Sequence, residues 1–466
     1  MPRSRYLVFA TVGCALLLSS IDGTIVAVAF PVITSFFQTS LILAGWIISI
    51  YQLVLTASLP LAGKVSDVLG RKSTFMSCVI LFTFGSLLCS VAPSIELLIF
   101  FRFIQALGGS GILPSATGIV ADAFPDSRQR AIGLFSSIFP IGWIIGPNLG
   151  GWLIVSLGWR SLFWINIPLG LAVLFTSSLL LRSEDRKRRD IDFVGAALVA
   201  GSLSSLMASL SIIGNSQTAE AWTISAVLFC FGIVLGVFLF WHEVRAKDPL
   251  IDIELMKGKP FVAANAYNVV YGAALIGIMS LAPTYAVSVY GMSTFESGFI
   301  LTPRSIGMIV ASLIASHYIS RWGYRWPMVI GTSIIAIGFV LLSLEPNSAS
   351  VFGLNLNTLT LLMTMMLLMG LGTGIVSPAA NNACIELMPQ RVASITGLRG
   401  MFRQLGGVVS VTIATLLLHL VGNMARGFSI ICIAIALGLL LSISFIFAMP
   451  SSPHCDVPPG QASSTQ

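Results

Sequence analysis

Charged residues are scarce in this chain: Asp, Glu, Lys and Arg make up 9% of its 466 residues, against about 25% in an ordinary soluble protein. With 56% of residues hydrophobic, no water-soluble core could hide the apolar surface, so a bilayer must be the solvent. Other absences narrow the chemistry. No Gly-x4-Gly-Lys-Ser/Thr loop is present to cradle nucleotide phosphates, which argues against pumping by ATP. The histidines His242, His317, His419 and His454 stand apart from any Cys or carboxylate in metal-binding spacing, so no metal, cofactor or catalytic centre is expected. The cysteines Cys14, Cys78, Cys89, Cys230, Cys384, Cys432 and Cys455 are scattered and lack paired spacing. There is no Asn-x-Ser/Thr acceptor and the connecting loops are short, which favours a bacterial inner membrane. The first apolar stretch is too long for a signal-peptide core and carries Asp22 inside it, so no cleaved leader is expected.

What the chain has in abundance is apolar runs of membrane length, about 20 residues each. Sliding that window gives fourteen candidate spans, the seventh and eighth at 193–213 and 222–243 separated by the short polar break Gly214–Ala221. The expected fold is an all-α polytopic membrane protein with fourteen transmembrane helices. A six-helix bundle occupies 1–182, charged cytoplasmic loops with two inserted helices 183–260, a second six-helix bundle 261–449, and a disordered cytoplasmic tail 450–466. If both termini are cytoplasmic, of the 25 Lys and Arg only Arg160 and Arg426 fall on the opposite face, and Arg102, Arg304, Arg399 and Arg403 lie within spans. That is a strong positive-inside bias. The formal charge of +7 therefore reflects topology, and no nucleic-acid partner is expected.

The two bundles are weak copies of each other. Asp122, Pro125 and Gly133 recur at the same spacing as Glu386, Pro389 and Gly397, and Gly70 with Lys72 recurs as Gly323 with Arg325. Duplicated bundles place a substrate cavity between the halves near the midplane, opened to alternate sides by rocking.

Short motifs then become specific. Between spans 2 and 3 runs Gly63-Lys-Val-Ser-Asp67-Val-Leu-Gly70-Arg71-Lys72. Gly63 and Asp67 share a helix face, and Gly70 permits the reversal into span 3. An Asp at a helix C-terminus needs a positive partner, either Arg71 or the N-terminus of a neighbouring helix. In span 5, Gly142, Gly146 and Gly150 form a small-residue stripe that admits close helix packing. Gly151 follows the stripe, and Pro147 removes a donor and is expected to kink the helix. Together with Asp22–Pro31 in span 1, Arg102-Phe-Ile-Gln105 in span 4 and Trp159–Gly170, these motifs resemble the major facilitator superfamily. Within it they resemble the fourteen-helix drug:proton antiporters of the EmrB/QacA type, over residues 5–450. The resemblance implies that the 63–72 loop latches the outward-facing state and that Gly142–Gly151 is the antiporter helix motif. The chain departs from the family at Val68, where a basic residue is usual, and at Ala106, where a glycine is. Its second-half copy of the latch has Ser320 in place of the acid.

Asp22 is the one acid well inside a span of the first half. A charge there costs about 2.5–3.5 kcal/mol on insertion scales, so it should face the cavity or bind a proton, with Arg102 and Gln105 as partners in proton coupling. The bland alternative is a structural Asp bonded to backbone near Gly23. The second half has no midspan acid; it contributes Arg304, Arg399 and Arg403, which raise an anionic or zwitterionic substrate, while Arg403 is equally readable as structural. Trp46, Tyr51, Gln52, Asn148, Asn265, Asn268, Tyr271, Asn381 and Asn382 complete the cavity candidates, each also readable as helix-packing glue. The function expected is proton-driven antiport of hydrophobic or amphipathic drugs by a monomer embedded in the cell membrane. The rivals are a dedicated exporter of one metabolite or anionic compound, such as an antibiotic, sugar or lipid precursor, and a transport-dead membrane sensor.

Overall fold

The computed structural model describes residues 2–39, 41–181, 192–215, 218–246, 258–345, 349–351 and 354–452. The charged run at 182–191, the loop 247–257 and the tail from residue 453 lie outside the described residues. The first bundle comprises α1 (Pro2–Phe36), α2 (Leu41–Leu69), α3 (Arg71–Ser90), α4 (Ile95–Ala123), the pair α5 (Arg128–Ser136) and α6 (Ile138–Leu157), and the pair α7 (Ser161–Trp164) and α8 (Asn166–Leu180). Two helices follow, α9 (Phe193–Asn215) and α10 (Ala219–Glu243). The second bundle opens with α11 (Lys259–Gly272), a π turn (Ala273–Ile278) and α12 (Met279–Tyr290), then α13 (Thr294–Phe299) and α14 (Leu301–Trp322). It closes with α15 (Arg325–Ser343), α16 (Thr358–Ile385), α17 (Val392–Val421) and α18 (Met424–Ala448). The only strands among the described residues form a hairpin, Ala349–Val351 paired antiparallel with Leu354–Leu356, a small departure from the all-helical expectation.

Twelve of the described helical segments are long and apolar enough to cross a membrane, and α11 with α12 makes a thirteenth crossing bent by 45°. The expected count of fourteen is not reached on these criteria. The helix at the seventh expected span, α9, is present as an uncharged apolar helix in which Gly201, Ser202, Ser204, Ser205 and Ser209 are small residues. Those small residues serve packing: Ser202 Oγ donates to the Gly232 carbonyl at 2.8 Å and Ser209 to the Ser225 carbonyl at 2.9 Å, joining α9 to α10. On its other side α9 packs on α2 and α17, covering a seam between the bundles. Side chains of α10 such as Val227, Phe231, Val237 and Phe240 stay exposed, as a lipid-facing helix requires.

Helix starts differ between the two ends of the molecule. At the end away from the termini, Ser94, Thr218, Ser293, Asn357 and Asn423 each accept an N–H from their own first turn at 2.9–3.3 Å. At the end that carries the termini, Gly70, Gly258, Tyr324 and Arg391 precede α3, α11, α15 and α17 with no side-chain cap. Gly70 has φ +99°, a region closed to most side chains, which is what lets α2 reverse directly into α3.

Candidate functional site

An apolar helix cannot carry an unpaired carboxylate, and Asp22 is paired. It is wholly buried at 0% exposure. Arg102 Nη1 donates to its Oδ2 at 2.8 Å, while Gln105 Nε2 and Asn166 Nδ2 donate to Oδ1 at 2.9 and 3.0 Å. Gln105 also accepts from Arg102 at 2.7 Å and donates to Ser86 Oγ at 2.7 Å, so helices α1, α3, α4 and α8 meet at one polar node. Ser86 and Asn166 escaped the sequence reading, since neutral polar residues on apolar helices give little signal. The motif Asn166-Ile-Pro168 was the available hint. The Tyr51 ring lies 3.9 Å from the Arg102 guanidinium, and the buried Tyr51 hydroxyl approaches Ser19 and Asp22 but meets no well-aligned hydrogen-bond partner among the described residues.

The glycine stripe of α6 supports this node from behind. A Cβ on Gly142 would meet the Ser20 side chain at 2.5 Å, one on Gly150 would meet Ile25 at 2.7 Å, and one on Gly146 would run into Thr24 Oγ1. All three contacts lie on α1 around Asp22. Gly151 faces open space. Helix α6 continues through Pro147, and a separate break falls at Ser137, between α5 and α6.

The terminal end of the molecule is shut. Asp67 Oδ2 accepts from the Ser394 N–H at 2.8 Å and the Ser394 hydroxyl at 2.7 Å, and Arg71 Nε stands 3.7 Å from Oδ1. Arg71 also pairs with Asp122 and donates to the Gly118 carbonyl at 2.9 Å. Lys72 Nζ donates to the last carbonyls of α8, including that of Leu181 at 2.6 Å. Ser394 lies in the uncapped first turn of α17, so the carboxylate from one bundle caps a helix of the other. A Cβ on Gly63 would collide with the Ala393 carbonyl. Further bonds across the seam join Arg128 to the Pro389 carbonyl at 2.6 Å, Asn382 to the Gln129 carbonyl at 3.1 Å and Asn381 to Ser136 at 3.1 Å. Deeper, the amides of Gln404 and Gln52 meet at 3.1 Å.

Above this closure lies a cavity of about 200 Å³ between the bundles. Phe135, Phe139 and Trp143 form one wall, and Arg399, Arg403 and Gln404 form part of the other. Of the sequence candidates, Tyr51, Gln52, Tyr271, Asn381, Arg399 and Arg403 line it. Trp46 lies instead in a side crevice between α2, α9 and α17, and Arg304 in a small pocket beneath Tyr271. The remaining candidates point elsewhere. Asn265 and Asn268 donate to the Phe261 and Ala264 carbonyls of their own helix at 3.0 and 2.8 Å. Asn148, likewise bonded to the Ile144 carbonyl at 2.8 Å, sits on an exposed face, and Asn382 is taken up by the closure. Asp22 does not line the cavity; Tyr51 does, standing against its partner Arg102.

Membrane-spanning bundles facing each other across a closed-ended central cavity define a multi-pass membrane transporter, not an enzyme. The chain matches the Major Facilitator Superfamily over residues 12–411, with a second match at 266–464, and belongs to that superfamily. It is 31% identical over 403 residues to the multidrug transporter protein MdtP of Bacillus subtilis, covering 85% of this chain and 72% of that one. To the tetracenomycin C resistance and export protein of Streptomyces glaucescens it is 30% identical over 416 residues, covering 87% and 74%. Among solved structures, the human organic anion transporter MFSD10 matches with a TM-score of 0.67 over 95% of this chain and 99% of that one. At 15% identity that is a likeness of fold alone.

Proposed function

We propose that this protein is a proton-driven antiporter that exports hydrophobic and amphipathic compounds across a bacterial cytoplasmic membrane, as a monomer with both termini in the cytoplasm. The relatives named as multidrug transport and resistance proteins support export. The observation that carries proton coupling is the Asp22–Arg102 pair, buried at 0% and 2% exposure and adjoining the cavity through Tyr51. With the termini cytoplasmic, the closed end faces inward and the conformation is outward-facing. A proton arriving from outside neutralises Asp22 and dissolves its pairing with Arg102. Removing one partner of such a buried pair costs about 3–5 kcal/mol, which is enough to bias the two bundles toward the inward-facing arrangement. Release of the proton inside restores the pair and, with it, the outward-facing state. A membrane potential of 100 mV supplies about 2.3 kcal/mol for each charge carried across.

The test places purified protein in liposomes with an imposed pH gradient and follows amphipathic fluorescent dyes of either charge together with internal pH. Movement of at least one dye that needs the gradient, with protons flowing the opposite way, is the expected result. Movement indifferent to the gradient, or normal gradient-driven movement by Asp22→Asn, would overturn the coupling role.

A further inference from the structure

The cavity wall is electrostatically one-sided. Among the described residues Arg399 and Arg403 are the charged side chains lining it, and no carboxylate does. The nearest acid in the first bundle, Asp22, is already neutralised by Arg102 at 2.8 Å and stands off the cavity wall. Arg399 is only 6% exposed. Its Nη1 reaches Asn381 Oδ1 at 3.3 Å, while its Nε and Nη2, beside the Cys384 thiol, are buried with no oxygen acceptor among the described residues, as is the Nε of Arg403. Farther from the closed end Arg304 adds a third buried guanidinium, donating to the Leu275 carbonyl at 3.2 Å where the helix widens into the π turn. Among the described residues none of these three arginines has a carboxylate partner.

A buried guanidinium that lines a cavity with no counter-ion among the described residues suits a planar anion, because its fork geometry matches two acceptor oxygens. The facing wall is aromatic: Phe139 and Trp143 stand edge to face at 5.5 Å. We infer that the central cavity takes aromatic or amphipathic compounds bearing an anionic group, a carboxylate, sulfonate or phenolate. The anion sits on Arg399 and Arg403, and the apolar body rests against Phe135, Phe139 and Trp143. The inference rests on the export reading of the same cavity and names the charge of its cargo. A permanently cationic compound meets two guanidiniums there with no acid to offset them.

The experiment is equilibrium binding to the protein in phosphatidylcholine nanodiscs, read by fluorescence anisotropy against empty discs. The probes are fluorescein and rhodamine 123, which present opposite charge on one xanthene frame. Fluorescein is expected to bind at least tenfold more tightly. The double variant Arg399→Gln with Arg403→Gln should lose that preference, and Arg399→Lys should keep most of it. A merely structural pair of arginines would lower the thermal midpoint of the ligand-free double variant; an anion site predicts an unchanged or higher one, since uncompensated buried charge is removed. Tighter or equal binding of rhodamine 123, binding of neither dye, or unchanged fluorescein affinity in the double variant overturns the inference. Should the double variant fail to fold, the dye preference of the wild type and of Arg399→Lys decides. No gradient is applied, so gradient-driven movement of rhodamine 123 without fluorescein binding would leave proton-coupled export standing and remove the anion site alone.

Discussion

In the first bundle the one buried midspan arginine, Arg102, has a carboxylate at 2.8 Å, an amide at 2.7 Å and a tyrosine ring over it. In the second, Arg304, Arg399 and Arg403 have backbone or amide oxygens at best and no acid among the described residues. The same duplicated framework therefore carries a saturated charge on one side and unsaturated charge on the other. A saturated pair stores a switch, because a proton on Asp22 changes its balance. An unsaturated cluster stores affinity, because something from outside must complete it. On the proposed mechanism coupling and recognition are divided between the halves, and the repeat visible at Asp122–Gly133 and Glu386–Gly397 decays at midspan accordingly.

The sharpest way to break this comparison is at Asp22. Asp22→Asn leaves Arg102 buried and uncompensated, which should destabilise the fold by about 3–5 kcal/mol and abolish gradient-driven efflux in liposomes. Replacing both partners, Asp22→Asn with Arg102→Gln, should recover most of the thermal stability while efflux stays uncoupled from the gradient. Recovery of coupling in that double variant would move the switch elsewhere. Next in size is the support behind the node. Gly146→Val must displace Thr24 on α1 and should cost well over tenfold in transport rate, whereas Gly151→Ala, in open space, should stay within about twofold.

Tyr51 tests the partition between node and cavity. Tyr51→Phe keeps the ring on Arg102 and removes a hydroxyl with no well-aligned partner among the described residues, so transport should change by less than about threefold. Tyr51→Ala opens the node to the cavity and should produce a proton leak in the absence of substrate, measured as gradient decay in empty-handed liposomes. A smaller effect belongs to the closure: Asp67→Asn weakens a charged cap worth about 1–2 kcal/mol. The closed end should then open roughly 5–30-fold more often, seen as faster thiol labelling of Ser136→Cys from the terminal side. Smallest is a pH effect at the foot of α9. Burial alone would push Asp192 up, but the Gly195 N–H at 2.7 Å and His242 at 2.9 Å outweigh it and hold its carboxyl below the usual range. The contact should be complete above the free carboxylate value of about 3.9 and be lost as pH falls through the lower folded value. Exchange of the Gly195 amide reports it.

Much of this was legible because the bilayer punishes charge. Asp22, Arg102 and Gln105 stood out on apolar helices and had to find one another. The order of the spans followed from apolar runs alone. Asn265, Asn268 and Asn148 misled as cavity candidates because a carbonyl four residues back on the same helix can satisfy an amide, and no sequence pattern separates that from a ligand contact. Ser394 was silent for a different reason: its partner, Asp67, comes from the other bundle.

That last contact has a consequence for measurement. The caps of Ser94 or Asn357 persist through any motion of their helices, because donor and acceptor travel together. The cap on α17 does not, since Asp67 travels with the opposite bundle and the Ser394 N–H is released whenever the terminal end opens. If the terminal end opens once per proposed cycle, the first turn of α17 loses and regains that cap each time, and deuterium uptake at the Ser394 amide should rise with turnover whatever is being carried.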